Sequence, residues 1–165
     1  MQNDFVTGSL GSDAAKSIIP AIKSEIKKYE DNNSLVILTR DTHNENYLDT
    51  PEGKKLPVQH CIRNTDGWQI VPEITSGLRN NSHIIINKPS FGYADWATVT
   101  DFNNKNIKLC GVCTDICVVS NALILKALFP TANISVDAKL CAGTSEAAHN
   151  AALMTMKSCQ IDIIE

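Results

Sequence analysis

Two hydropathy patterns alternate along the chain. Short, nearly unbroken apolar runs occur at Leu35-Val36-Ile37-Leu38, Ile84-Ile85-Ile86, Ile107 to Val112, Ile134-Ser135-Val136 and Ile161 to Ile164. Strands buried on both faces have this character, because neither set of alternating side chains meets water. Between the runs, apolar residues recur at helical spacing. Asp13 is placed to cap a helix running to about Glu30, with Ile18, Ile22 and Ile26 on one face and Pro20 expected to bend it or shift its start. Thr114 is placed to cap a second helix that turns Val118, Leu125 and Leu128 inward, and Ser145 a third that reaches about Lys157. Strands alternating with helices predict an α/β fold with a parallel sheet covered on both faces. Chemistry in such sheets gathers beyond the carboxyl ends of the strands. One irregularity stands at the start. Met1-Gln2-Asn3-Asp4-Phe5 runs straight into a turn containing Gly8 and Gly11, with no strand before it.

Composition narrows the class. The 165 residues are 43% hydrophobic and 20% charged, which excludes a disordered, collagenous or coiled-coil chain. No repeat, low-complexity tract or Gly/Ser linker interrupts them, so one domain over 1–165 is expected. Fifteen basic residues against eighteen acidic ones, with no Lys/Arg block, argue against a nucleic-acid partner. No apolar run approaches the roughly 18 residues that a membrane span needs. No basic leader precedes Asp4, so a cytoplasmic location is expected, and with it thiols rather than disulfides among the six cysteines. Most of these should be small buried hydrophobes.

Cys117 is the exception. It follows the run Ile107 to Val112 and falls in the first turn of the helix expected from Thr114. There the helix dipole and unpaired N–H groups favour a thiolate and can hold a developing oxyanion. An ordinary buried cysteine is the alternative at that position. Cys110-x-x-Cys113 has the spacing of half a zinc site or a redox pair, but no second pair follows and Cys110 lies within an expected strand. Lys88 ends the run Ile84 to Ile86 on the same rim as Cys117, where a desolvated ammonium can stabilise an anion; a solvent-facing strand-end lysine is the alternative. Asp41 and His43, two apart after Leu35 to Leu38, share one side of an extended segment. With Glu52 and His60 on the following loop, they are reasonable ligands for a borderline divalent metal, the alternative being a loop that merely carries polar side chains. His83 and His149 have no such neighbours and read as structural or surface histidines. Aromatics are scarce, and core packing is the default for each of Phe5, Trp68, Phe91 and Tyr93, while Phe5 and Tyr93 also stand beside polar candidates where they can wall a flat substrate.

Gln2-Asn3-Asp4-Phe5, Asp41-Thr42-His43, Leu56-Pro57-Val58-Gln59-His60-Cys61, Lys88-Pro89-Ser90-Phe91-Gly92 and Gly111-Val112-Cys113-Thr114-Asp115-Ile116-Cys117 occur in the order and spacing of isochorismatase-like cysteine hydrolases. Within that family the chain most resembles nicotinamidases and related amidases, over nearly its whole length. The resemblance implies a three-layer α/β/α fold with a central, mostly parallel sheet. It implies that Cys117 attacks an amide carbonyl and forms a thioester once ammonia leaves, and that Lys88 balances charge near the thiolate. It further implies a cis peptide between Val112 and Cys113, and an oxyanion hole from the N–H groups of Cys113 and Cys117. Asp41, His43 and His60 become ligands of a divalent metal, zinc ahead of manganese or iron, and Glu52 a fourth. Nicotinamide becomes the expected small-molecule substrate, with its ring nitrogen directed at the metal. A homo-oligomer is expected.

The family pattern places a hydrophobic strand, an Asp and one further residue before Gln-Asn-Asp-Phe. That Asp is the general base, and here it would precede Met1, while Asp4 matches a different, structural position. The first central strand is thus expected to be missing. Five or six buried aliphatic residues contribute on the order of 10 kcal/mol, comparable with the whole stability of a domain. Met1 is therefore expected to be an internal methionine of a longer protein, and these residues alone to be impaired. The rival readings are an amidase for carbamoyl or ureido substrates, a non-catalytic oligomeric module of the same fold, and a thiol redox protein using Cys110 and Cys113.

Overall fold

A computed structural model describes residues 1–76, 78 and 83–165. They form two compact units, Met1–Ser90 and Phe91–Glu165. The first holds α1 (Asn3–Val6), α2 (Asp13–Ser17), α3 (Ile19–Asp31), β1 (Val36–Asp41), α4 (Pro51–Lys55), α5 (Pro72–Thr75) and β2 (His83–Lys88). The helix expected over Asp13 to Glu30 is two helices. Ser12, not Asp13, is the N-cap, its hydroxyl accepting the Ala15 N–H at 3.1 Å, and Asp13 falls in the first turn, where its charge suits the dipole. The break comes at Ile18 because Pro20 has no N–H to continue the preceding turn and is best placed at a helix start. Ile18, Ile19 and Ile22 are buried, while Ile26 is only half-buried.

β1 and β2 pair in parallel without a slip, from Val36↔His83 to Asp41↔Lys88. The unbroken register decides the chemistry at the strand ends, since it sets Asp41 and Lys88 side by side. Residues 1–4 are not part of this ladder. They lie along the segment 66–71 instead, with an antiparallel bridge between Gln2 and Ile70. Asn3 N–H donates to Gln69 O at 2.9 Å, Asp4 N–H to Gly67 O at 3.0 Å, and Val71 N–H to Met1 O at 3.0 Å. Gly67 is required by this approach: a Cβ there would come 2.1 Å from Asp4 Oδ2.

The second unit holds β3 (Asn106–Val112), a π-helical turn (Thr114–Val118), α6 (Val119–Leu128), β4 (Asn133–Ala142), α7 (Glu146–Ser158) and β5 (Asp162–Ile164). Its strands are parallel in the order β3-β4-β5. A bulge between Leu109 and Gly111 accommodates the long β4, and Gly111 takes φ +118°, which a side chain would strain. Thr114 does not cap the helix after β3. Cys113 is the N-cap, and Thr114 is fully buried. Val118 and Leu125 turn inward as expected, but Leu128 is 42% exposed. Phe129 takes the inward place, its ring edge-on to Phe102 at 5.2 Å. Ser145 caps α7 as expected, accepting the Ala148 N–H at 3.1 Å. Every strand pair among the described residues is parallel, β1-β2 in the first unit and β3-β4-β5 in the second, as an α/β fold requires.

Candidate active site

The ladder that aligns Asp41 with Lys88 also joins them as an ion pair, Lys88 Nζ donating to Asp41 Oδ1. Both side chains are buried, and Lys88 also donates to Ser90 O at 3.1 Å. Beyond Asp41 the backbone stays extended. Thr42 N–H reaches Lys88 O at 3.0 Å, and His43 pairs in parallel with Ile62, its N–H donating to Cys61 O at 3.0 Å. Asp41 and His43 therefore share a side, and the bridge to Ile62 brings the loop that carries His60 against them. The ligand atoms of Asp41, His43 and His60 lie within 4.8 Å of one another, and all three residues are buried. Glu52 Oε1 stands 3.9 Å from His43 Nε2 and 3.9 Å from His60 Nε2.

These residues fit a divalent ion. His60 Nδ1 lies 2.9 Å from Val58 O, and since a carbonyl only accepts, Nδ1 carries the proton and Nε2 keeps a lone pair for the cluster. His43 Nε2 is buried with no hydrogen-bond partner among the described residues, which is costly unless something else ligates it. Burial first, then neighbouring His60, holds the His43 pKa below its ordinary value, so the imidazole stays in its neutral, ligating form. Burial raises the Glu52 pKa. Two imidazoles with one or two carboxylates are a borderline-metal donor set.

Tyr47 is a part of this site that sequence reasoning passed over. It is fully buried, donates its hydroxyl to Leu56 O at 3.0 Å, and packs its ring 4.8 Å from His43 and 4.9 Å from His60. A tyrosine between His43 and Glu52 in so aromatic-poor a chain was the available signal. Gly53 belongs to the same packing, since a Cβ there would come 2.1 Å from Tyr47 O. Phe5, half-buried, stands 5.7 Å from the His60 ring, while Trp68 is buried and donates its Nε1–H to Thr42 Oγ1 at 2.7 Å.

The remaining candidates lie in the second unit. The Val112–Cys113 peptide is cis. Cys117 is half-buried within the π-helical turn, one turn into a helix that runs on through α6. That turn is fastened at its start. Thr114 Oγ1 lies 2.8 Å from His149 Nδ1, and Asp115 accepts from Thr144 N–H at 2.9 Å and from its hydroxyl at 2.5 Å. His149, read as a structural or surface histidine, thus braces the helix start. Asn121 ties Cys117 to the Tyr93 segment. Its Nδ2 donates to Cys117 O at 2.7 Å and Phe91 O at 3.1 Å, and its Oδ1 accepts from Tyr93 N–H at 3.0 Å and Trp96 Nε1–H at 3.1 Å. A lone buried amide in the apolar α6, four residues after Cys117, was the sequence signal for it. Tyr93 is half-buried, edge-on to Trp96 at 5.4 Å, and Phe91 is 42% exposed. Among the other thiols Cys61 and Cys141 are buried, and burial pushes both pKa values far up, so they stay protonated. Cys110 is exposed and Cys113 half-buried.

The isochorismatase domain model matches residues 1–165. A curated relative, the uncharacterized isochorismatase family protein PncA of Bacillus subtilis (strain 168), is 27% identical over 136 residues, covering 73% of this chain and 72% of the relative. The structure of the pyrazinamidase of Pyrococcus horikoshii in complex with zinc superposes with a TM-score of 0.83 at 29% identity, covering 100% of this chain and 94% of that one. The nicotinamidase PncA of Bacillus subtilis superposes with a TM-score of 0.85 at 23% identity, covering 99% and 94%, and shows the shared fold. With its parallel strands and crossover helices matched over its whole length, this chain belongs to the isochorismatase family.

Proposed function

We propose that this chain is a cysteine amidohydrolase that converts nicotinamide to nicotinate and ammonia. The observation that carries the reading is the convergence of Asp41, His43 and His60 beside the buried Lys88, a metal-ligand set joined to a charge pair at the strand ends. Cys117 is the proposed nucleophile. Its sulfur bonds to the amide carbon, the C–N bond breaks, and ammonia leaves with the proton that the thiol supplied. Water then cleaves the resulting thioester to the acid and returns the thiol. The N–H groups of Cys113 and Cys117 are the proposed donors to the oxyanion of each tetrahedral step. Lys88 holds the local charge balance by its bond to Asp41. Asp41, His43 and His60, with Glu52 as a fourth ligand, hold the divalent ion, zinc ahead of manganese or iron; when bound, it offers an electrophilic docking point for a heteroaromatic ring nitrogen. Phe5 beside His60, and Tyr93 held through Asn121, are proposed to wall the flat ring. We further propose a cytoplasmic homo-oligomer. The exposed apolar side chains of Leu35, Ile84 and Ile85 support association, and no helix among the described residues is long and apolar enough to cross a membrane.

The general-base Asp of the family pattern is not among these residues, so a reduced rate is proposed for them on their own. The test is ammonia release from nicotinamide and from a ureido and a carbamoyl compound, by the metal-loaded chain with and without an added upstream strand ending in Asp. Nicotinamide turnover that rises with the added segment and vanishes in Cys117→Ser is expected. Preference for the ureido or carbamoyl compound overturns the substrate, and undiminished activity without the segment overturns the role given to the missing Asp.

A further inference from the structure

The residues after Met1 touch the backbone of the metal cluster at three points. Gln2 is 2% exposed, and its side-chain amide is used like a strand's peptide group. Its Oε1 accepts the Asp41 N–H at 2.7 Å, and its Nε2 donates to Asp41 O at 2.8 Å and to Trp68 O at 3.0 Å. Both backbone groups of Asp41 on that edge of β1 are thereby held. Asp4 acts on the other two ligands through one residue, Cys61. Its Oδ2 accepts the N–H of Cys61 at 2.7 Å, the residue after His60, and the carbonyl of that same Cys61 accepts the His43 N–H at 3.0 Å. Cys61 adopts φ +48°, an uncommon backbone state for a residue with a side chain, and the Asp4 bond is among the contacts that hold it there. Ser9 Oγ, donating to Gln59 O at 3.0 Å, adds a further tie to the same loop.

We infer that Gln2 and Asp4 are positioning residues of the metal centre, acting as a template that sets Asp41, His43 and His60 at ligand spacing before an ion arrives. This rests on reading those three residues as a metal centre. A preorganised donor set binds tightly because little ordering remains to be done on binding, and loss of such outer partners commonly weakens metal affinity by about 10- to 100-fold. The segment is itself held in place by its bonds to residues 66–71.

The test is competition for Zn²⁺ between the protein and a chromophoric chelator, with the visible spectrum of bound Co²⁺ as a second readout. The parent is compared with D4A, D4N, Q2M and the ligand variant H43A. Parent binding that H43A abolishes establishes the centre. D4A and Q2M are then expected to bind at least ~10-fold more weakly, with an altered or weakened Co²⁺ spectrum. D4N, which keeps an oxygen for the Cys61 N–H, is expected to recover most of the affinity. Should D4A not fold, Q2M carries the same expectation from the other arm, and its far-UV circular dichroism shows that the fold is kept. Affinities of D4A and Q2M within about twofold of a zinc-binding parent, or a D4N no better than D4A, overturn the template while leaving the centre standing. A parent that binds no zinc, or binds it equally in H43A, overturns the centre and the template together.

Discussion

Each proposed functional side chain is made reactive or inert by what surrounds it. Cys117 is half-buried one turn into a helix, whereas Cys61 and Cys141 are sunk in packed surroundings that keep them protonated. Iodoacetamide near neutral pH is therefore expected to modify Cys117 together with the exposed Cys110 and Cys159, and to spare Cys61 and Cys141, as read by peptide mass mapping. Unmodified Cys117 counts against the nucleophile and for a non-catalytic module. Lys88 and Asp41 are a buried pair, and removing one partner strands the other's charge. K88M is expected to lower the free energy of unfolding by about 3–5 kcal/mol, read by urea denaturation, besides abolishing turnover. At this scale the sequence was informative about reactive types and blind to their keepers. Cys117, Lys88, Asp41, His43 and His60 stand out by chemistry and spacing, whereas Tyr47, Asn121 and Gln2 are unremarkable until the chain closes on them.

Among the elements, two devices set geometry. One is the slip-free pairing of β1 with β2, which makes the last residue of each strand the other's partner. The other is the register shift between β3 and β4 after Leu109, where Gly111 takes φ +118° two residues before Cys113 and the π-helical turn. G111A is expected to cost about 1–3 kcal/mol of stability although open space would receive its methyl group, because the penalty is conformational. A variant as stable as the parent in thermal unfolding would show that the turn relaxes to another conformation. The start of the next helix is latched by Asp115 on Thr144 and by Thr114 near His149. D115A is expected to lower kcat with KM little changed, since it loosens the turn that bears the thiol and not the ring walls. Strand and helix existence was legible from apolar periodicity. Caps were less so: Ser12 holds the cap expected of Asp13, and the cap position expected of Thr114 falls to Cys113, whose side chain makes no capping bond. Thr114 is spent on His149, a partner 35 residues away that no local pattern reveals.

For the molecule as a whole, the two buried thiols couple stability to pH. Their pKa values are raised in the folded chain, so folding holds protons that the unfolded chain releases. Below the unfolded thiol value of about 8.5 both states keep those protons and the stabilisation is complete; above it stability falls as pH rises, by up to ~1.4 kcal/mol per pH unit for each thiol. The fall between pH 8 and pH 10 is expected to be shallower in C141A than in the parent, measured by urea unfolding. Parallel slopes would mean that Cys141 titrates alike in both states. The α/β class and the positions of the candidate reactive residues were legible in the sequence itself, because hydropathy period and residue chemistry are local properties written along the chain. Which side chains meet was decided only by the tertiary structure: the Asp41–Lys88 pair by strand register, the histidine cluster by the bridge of His43 to Ile62, and the grip of Gln2 and Asp4 by contacts 39 and 57 residues apart. Contacts at that range depend on how the whole chain closes, and no window of neighbouring residues contains them.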